Sequence, residues 1–407
     1  MDKRRIMNIA NKGKNKEREK QPQRTIPDRS KDPSRSQGGR ETPACRGSVD
    51  LCAMYLDLRL GKRNFGLGIS AIFLVSLTLS LLQRTKRSVL LHLTARDEKM
   101  LRAVEKSPVQ AKDRKILEHL LLTQGCPWQP NATVLAQYRT KLGRCCNASF
   151  WMAVTKENTP VGSDILLDGE KGNKLPVKDE LMDLLPKRSP ISSILYDQCA
   201  VVGNGGILRN SSCGQEIDQA DLIVRFNLPP MDWPEDVGTK TSLVTINPSI
   251  LQTKFKKLQA HRKPFADALR PFRSTLIFIP AFSFVGHSDV SYRALYTMED
   301  FGMGQHAYFM NPRYLDALGI YWKDHGFHPR RLSSGFMLVN MALEFCKRIT
   351  LYGFWPFPHD LANRTIPHHY YDNTWPKPGI HAMSSEFSLY LKMYAQGVLR
   401  LRVGKCQ

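Results

Sequence analysis

The pair Val201-Val202 runs directly into Gly203-Asn204-Gly205-Gly206, and a β-branched run that ends in a glycine cluster is the most constraining feature of this chain. Such a junction belongs to an α/β sheet, where the turn at the carboxyl end of a strand brings backbone close to a ligand. A dinucleotide site would need G-x-G-x-x-G, with the third glycine making room for helix-to-strand packing. Leu208 stands at that third position, and Cys199 and Cys213 bracket the loop. Asp218 and Asp221 follow at about the distance of a ribose-binding acid, so the loop alone does not decide what it holds.

Short runs rich in β-branched and aromatic residues recur around it: Cys199 to Val202, Leu222 to Arg225, Leu243 to Ile246, Ile277 to Ile279, AYFM around Tyr308, and RITLYGF ending at Phe354. Amphipathic stretches such as SILQTKFKKLQAHRKPFADAL and SSGFMLVNMALEFCKR separate them. Strands alternating with helices predict one Rossmann-like α/β domain with a mixed, mostly parallel sheet flanked by helices. A chain of 407 residues has room for that core and for tails besides.

The net charge of +22 would by itself suggest nucleic acid, a membrane surface or an acidic ligand. Residues 1–63, however, carry 17 Lys/Arg against 8 Asp/Glu, so over a third of the excess lies in a tail too poor in apolar residues to fold. No nucleic-acid partner is expected. From Phe65 to Gln83 the chain runs 19 residues without a charge, long enough to cross a hydrocarbon core of about 30 Å. A signal peptide would be shorter and end in small residues, whereas this run ends in Arg84, Lys86 and Arg87. The larger positive excess lies N-terminal to it, which predicts a cytosolic N-terminus and a luminal remainder. The expected organisation is a disordered basic tail at 1–63, a signal-anchor helix at 64–84, a stem at 85–120 and a luminal domain at 121–407.

All four N-x-S/T sequons, at Asn131, Asn147, Asn210 and Asn363, follow the span. Seven of the nine cysteines also do: Cys126, Cys145, Cys146, Cys199, Cys213, Cys346 and Cys406. Disulfides persist in such a compartment, and an odd count leaves one cysteine free or paired with another chain. No Cys or His spacing suits zinc and no Asp-x-Asp is present to anchor a divalent cation, so no metal and no bound cofactor are expected. A leaving phosphate would then need histidines, hydroxyls or a helix N-terminus. Two stretches supply them. RRLSSGFMLVNMALEFC places Ser333, Ser334 and Gly335 where an apolar helix begins, and IPHHYYDNTWPKPGIHAMSSE gathers His368, His369 and His381 among aromatic residues.

With those stretches in order, the chain resembles the animal sialyltransferases and, within them, the α2,8-sialyltransferase group. Cys199 to about Thr245 resembles the large sialylmotif, Arg331 to Trp355 the small one, His369-Tyr370-Tyr371-Asp372 the third, and His381 with Glu386 the very small H-x4-E motif. FNLPP, TINPSI, YGFWPF and HHYYDN point towards the α2,8 group.

The resemblance implies a variant GT-A-type glycosyltransferase domain and a metal-independent, inverting transfer from CMP-sialic acid to a terminal sialic acid of a glycolipid or glycoprotein. It implies CMP contacts at Asn204 and Asn227, and a donor pocket completed by Ser333, Ser334, Gly335 and Trp355. His369 would stabilise the leaving phosphate, His381 would be the general base, and Cys199–Cys346 and Cys213–Cys406 would be disulfides. The implied setting is the Golgi membrane in single-pass type II orientation, with room for a homodimer.

Two positions depart from the family pattern. Ser334 replaces the usual Thr while keeping a hydroxyl, and Phe226 stands where the group commonly has Cys. Residues 167–198 hold five Lys/Arg against six Asp/Glu, which disfavours a polyanion track and favours the branch that adds one or a few residues to gangliosides or O-glycans. The alternative is a catalytically silent luminal glycoprotein that keeps the fold to bind glycans.

Overall fold

A computed structural model describes residues 95–406 apart from 106–108, 126, 171, 192–193 and 376–380. The basic tail, the membrane span expected at 64–84 and the first part of the stem lie outside the described residues. Among the described residues no helix is long and apolar enough to cross a membrane.

Seven strands carry the fold: β1 (Tyr196–Val202), β2 (Leu222–Phe226), β3 (Leu243–Thr245), β4 (Leu276–Ile279), β5 (Ala307–Phe309), β6 (Cys346–Tyr352) and β7 (Arg400–Arg402). They form one sheet in the order β5-β4-β3-β2-β1-β6-β7. The parallel character expected from the alternation is present, with one correction: every pairing in this sheet is parallel. Among the described residues, antiparallel strand pairing is confined to a separate hairpin, Asp164–Leu166 with Lys174–Pro176. Strands covered on both faces need apolar residues at consecutive positions rather than alternate ones. Leu222, Ile223, Val224, Arg225 and Phe226 are accordingly all buried.

The longer helices are α1 (Ala95–Glu105), α2 (Ala111–Gln124), α3 (Ala132–Cys145), α4 (Arg262–Leu269), α5 (Val285–Asp300), α6 (Pro312–Asp324), α7 (Ser334–Phe345) and α8 (Met383–Ala395). On one sheet face Cys199, Val201, Val224 and Leu351 share a core with α2, α3, α6, α7 and α8; on the other, Val244, Ile277 and Ile279 pack with Phe265, Val290 and Ala294. α7 is apolar nearly all round, with Phe336 through Leu343 buried, as a helix lodged between other helices and the sheet must be. It packs on α3 and against β1, β2 and β6.

The charged, helix-permissive stem sequence is helical from Ala95. Three features were not apparent in the periodicity. Val104, Leu117, Leu120 and Leu121 of the stem region enter the main core. The stretch expected as one helical run near 249–269 is broken by left-handed Lys256, Lys257 and Leu258, and this turn accompanies entry of Phe255 and Leu258 into the second core with Phe265 and Leu269. β7 has three residues, of which only Leu401 is buried.

Cys199 on β1 is bonded to Cys346 on β6, and Cys213 to Cys406 near the C-terminus. A third bond joins the neighbours Cys145 and Cys146. The Cys213–Cys406 bond spans 193 residues, and in the chain-entropy account closing so long a loop in the unfolded state is worth roughly 4–5 kcal/mol. Replacing both cysteines by serine should lower unfolding stability by about that amount in denaturant titration. A loss below about 0.5 kcal/mol would show that the bond does not constrain the chain.

Candidate active site

The strand order reverses at β1: the chain steps out from β1 to β5 and returns to place β6 on β1's other side. In open α/β sheets the crevice at the carboxyl ends of the strands at such a switch point is where ligands bind. The loops after β1 and β6 meet there. Gly203 N–H donates to Tyr352 O at 2.7 Å and Gly205 N–H to Gly353 O at 2.9 Å. A Cβ on Gly205 would lie 2.5 Å from Gly353 O, and one on Gly206 would lie 2.0 Å from Pro367 O. The glycines are therefore set by the approach of two other loops, and Leu208 occupies no position where glycine is needed.

The segment 367–372 lies over this junction. Gly206 N–H donates to His368 O at 3.1 Å and Tyr370 N–H to Asn204 O at 2.8 Å, with Gly205 bridged to His369. His369 is thereby fixed by backbone. Its Nδ1 lies 2.7 Å from Asp372 Oδ1, and its ring stacks on Tyr371 at 5.1 Å and 15°. Burial disfavours the charged Asp372, but the Thr374 N–H and His369 outweigh it and hold the carboxyl below its ordinary pKa. Burial, with the neighbouring His369, pushes His368 down to about 4.

Asn204 donates from Nδ2 to Phe226 O at 3.0 Å, while its buried Oδ1 meets no hydrogen-bond partner among the described residues. Asn227 takes a left-handed φ of 63°, and its Oδ1 accepts from Asn247 N–H at 3.0 Å. Asn247 in turn accepts from Ser334 Oγ at 3.2 Å. A polar chain thus links the ends of β2 and β3 to the start of α7. Asn247 was given no site role in the sequence; it appeared only within TINPSI and as the residue before Pro248 at a helix start.

Ser333 caps α7, accepting from Phe336 N–H at 3.1 Å. Glu386, 1% exposed, accepts from both the Ser333 N–H (2.8 Å) and the Ser333 hydroxyl. Its burial pushes the carboxyl up to about 7 against the pull of those two bonds. Gly335 faces Phe354, whose ring would be 3.1 Å from an added Cβ. Trp355 is 4% exposed, packs edge-on against Phe357 and Phe387, and donates its Nε1–H to His359 O at 2.9 Å. This places it in the core beneath the loops.

His381 lies two residues before α8, with Nδ1 3.2 Å from Arg331 O. A carbonyl oxygen can only accept, so Nδ1 carries the hydrogen and Nε2 is the free lone pair in the neutral ring. Burial, aided by the Arg331 charge, holds the His381 pKa below its ordinary value. The Arg331 guanidinium donates to Asp168 Oδ2 at 2.9 Å and Ser283 Oγ at 2.6 Å. Nothing in the sequence marked Asp168, because its partner is 163 residues away. Among the described residues no three His, Cys, Asp or Glu side chains converge to hold a metal ion.

The sequon asparagines Asn131, Asn147 and Asn210 are exposed, and Asn363 is half-buried with its Oδ1 enclosed. The side chain of Asn131 caps α3 through the Val134 N–H at 3.1 Å.

The family model for glycosyltransferase family 29 (sialyltransferase) matches residues 153–398. The chain belongs to this family. It is 43% identical over 289 residues to an alpha-N-acetylneuraminide alpha-2,8-sialyltransferase of Xenopus tropicalis, covering 70% of this chain and 84% of the relative. It is 41% identical to alpha-2,8-sialyltransferase 8E of Rattus norvegicus over 72% of this chain and 79% of that one, and 41% identical to alpha-2,8-sialyltransferase 8F of Homo sapiens over 70% and 72%. The resemblance carried by the four ordered motifs is therefore correct at the level of family and enzymatic class, with CMP-sialic acid the donor of that class. The matched span runs from the start of the strand-forming region past α8, so the Ser333–Glu386 clamp and the 367–372 segment belong to the family domain.

Because Glu386 has a folded pKa near 7 against an ordinary 4.5, the folded protein retains its proton where the unfolded chain has lost it. Stability should fall as pH rises through that window, by on the order of 1–3 kcal/mol. Glu386→Gln should remove this part of the slope in urea titrations at pH 4.5 and 7.5. Identical slopes in both proteins would contradict the assignment.

Proposed function

We propose that this sialyltransferase transfers sialic acid from CMP-sialic acid to a terminal sialic acid of a glycolipid or glycoprotein glycan. The bond formed is an α2,8 linkage, made by inverting in-line displacement without a divalent metal. The α2,8 names of relatives at about two-fifths identity support the linkage. The observation that carries the mechanism is the Nδ1 contact of His381 with the Arg331 carbonyl, which leaves Nε2 unprotonated and free to take a proton.

In this reading His381 Nε2 removes the proton from the acceptor hydroxyl as its oxygen attacks the anomeric carbon, and the bond to the CMP phosphate breaks on the opposite side. Burial disfavours the charged imidazole, so the base is neutral at neutral pH. In its doubly protonated form His369 donates Nδ1–H to Asp372 and Nε2–H to the leaving phosphate. Asn204, whose Oδ1 is unpartnered, and Asn227 would take the nucleotide. The N–H groups of Ser334 and Gly335 at the start of α7 suit an anion. Trp355 would support this pocket through packing rather than by touching the donor. Holding donor and acceptor in line supplies much of the rate, because CMP is already a good leaving group.

The uncharged run at 65–83 and the four sequons after it support a single-pass type II Golgi protein with a luminal domain, and a homodimer is compatible with that arrangement. His381→Ala should lower kcat about 10²- to 10⁴-fold with a much smaller change in KM, measured by product mass with sialylated glycolipid and glycoprotein acceptors. Undiminished transfer would remove the base assignment. The kcat/KM profile should lose activity on the acid side, as His381 is protonated, with its limb below pH 6.5. Excess chelator should leave the rate unchanged, and a rate restored only by added Mg2+ or Mn2+ would overturn the metal-independent reading.

A further inference from the structure

A second cavity, of about 730 Å³, lies on the sheet face formed by β1, β6 and β7, apart from the crevice at the loop ends. The parallel register stacks its floor in rows. Gln198 pairs with Arg348, Ala200 with Thr350 and Thr350 with Arg400; one step on, Val202 pairs with Tyr352 and Tyr352 with Arg402. Side chains two apart on a strand share a face, so Arg348, Arg400 and Arg402 project from the same side of the sheet.

The three arginines are not equivalent. Arg402 is neutralised by Glu216, which it meets at 2.9 and 2.6 Å and which also accepts from the Tyr352 hydroxyl at 2.9 Å. Asp197, the acid nearest Arg348 on β1, is taken by Lys347 at 2.7 Å. Among the described residues neither the Arg348 nor the Arg400 guanidinium makes a hydrogen bond or close ion pair, although their charges act at longer range on Asp197 and Glu216. An arginine on a strand usually only solvates a face, but here two guanidinium groups with free hydrogen-bond donors stand in a concavity whose lining carboxylate, Glu216, is already engaged by Arg402 and Tyr352. Its net field is positive.

The walls carry the complementary chemistry. Gln198 and Gln215 present exposed amides. Trp128 is held by its Nε1–H on Tyr394 O at 3.1 Å and by stacking on the Tyr394 ring at 17°, which makes it a fixed apolar surface. The Cys213–Cys406 bond closes one side. Guanidinium forks match carboxylates, amides match hydroxyls and an aromatic face matches the C–H face of a sugar ring. The volume lies within the range of small-ligand sites.

We propose that this groove is a second glycan site, which binds a sialic-acid-bearing oligosaccharide through its carboxylate on Arg348 and Arg400. The choice of sialic acid among acidic sugars rests on the acceptor class proposed above; the carboxylate requirement does not. Such a site would hold a sialylated chain on the enzyme independently of the transfer crevice.

The test is photo-crosslinking of the full-length protein in detergent with sialyllactose carrying a diazirine, followed by peptide mapping. Label is expected on peptides containing Trp128, Arg348 or Arg400, and lactose carrying the same diazirine should give at least tenfold less. Arg348→Glu with Arg400→Glu should abolish groove labelling while leaving labelling near His381 and the melting temperature unchanged. The milder Arg348→Gln, at an exposed position, should reduce it several-fold and guards against misfolding of the double variant. Label confined to the peptides near His369 and His381, or groove label unchanged in these variants, would overturn the proposal. Equal competition by an oligosaccharide of uronic acids would overturn the sialic-acid assignment. Groove labelling in a protein that transfers no sialic acid would leave this site standing and refute the proposed reaction alone.

Discussion

Much of the site depends on one close approach, that of the loop after β1 to the loop after β6. Gly203 and Gly205 donate to the carbonyls of Tyr352 and Gly353, at a separation that leaves no space for a side chain. Gly353 itself has a φ of +67° and would put a Cβ 2.5 Å from Gly203 O. Any larger residue at these positions must displace backbone rather than a flexible side-chain end. The backbone groups left by this contact bind the 367–372 segment, and through it His369 and Asp372 are brought to the switch point of the sheet. The Cys199–Cys346 bond joins the same two strands nearer their start, so β1 and β6 are tied both covalently and by their loops.

A second constraint is the burial of Glu386 against Ser333, near the start of the small sialylmotif. Moving a carboxyl group out of water is costly unless its oxygens are satisfied. Here the Ser333 N–H and hydroxyl satisfy both, and Ser333 passes the interaction on to the Phe336 N–H at the start of α7. The helix start is therefore tied to α8, just beyond His381. Arg331 couples the segment carrying His381 to the remote hairpin region: its carbonyl meets His381 while its guanidinium is held by Asp168 and Ser283. Arg225 plays a comparable part inside β2. It is fully buried and ties the loop at Val237, Lys240 and Thr241 to the strand.

What could be read before the fold was known was what repeats locally or stands in a characteristic order. Six strands were visible as apolar runs because a parallel sheet buries both faces of each. β7 was not, since three residues with one buried side chain carry no periodic signal. The helical start of the stem gave only a weak pattern; its apolar residues became informative once the core they enter was present. Asn247, Arg331 and Asp168 were missed for a different reason. Each acts through a partner on another element, and residue spacing records only neighbours along the chain.

The amino-acid sequence by itself determined the family, the α/β class and the polar groups that gather at the switch point, because backbone turns and hydrogen-bonding side chains are local chemical requirements. Tertiary structure alone decided what the glycines are for, which nitrogen of His381 keeps its lone pair, that Trp355 is a core residue, and that Arg348 and Arg400 share a groove. These are properties of distance and burial. They arise only when strands far apart in the chain lie side by side in register.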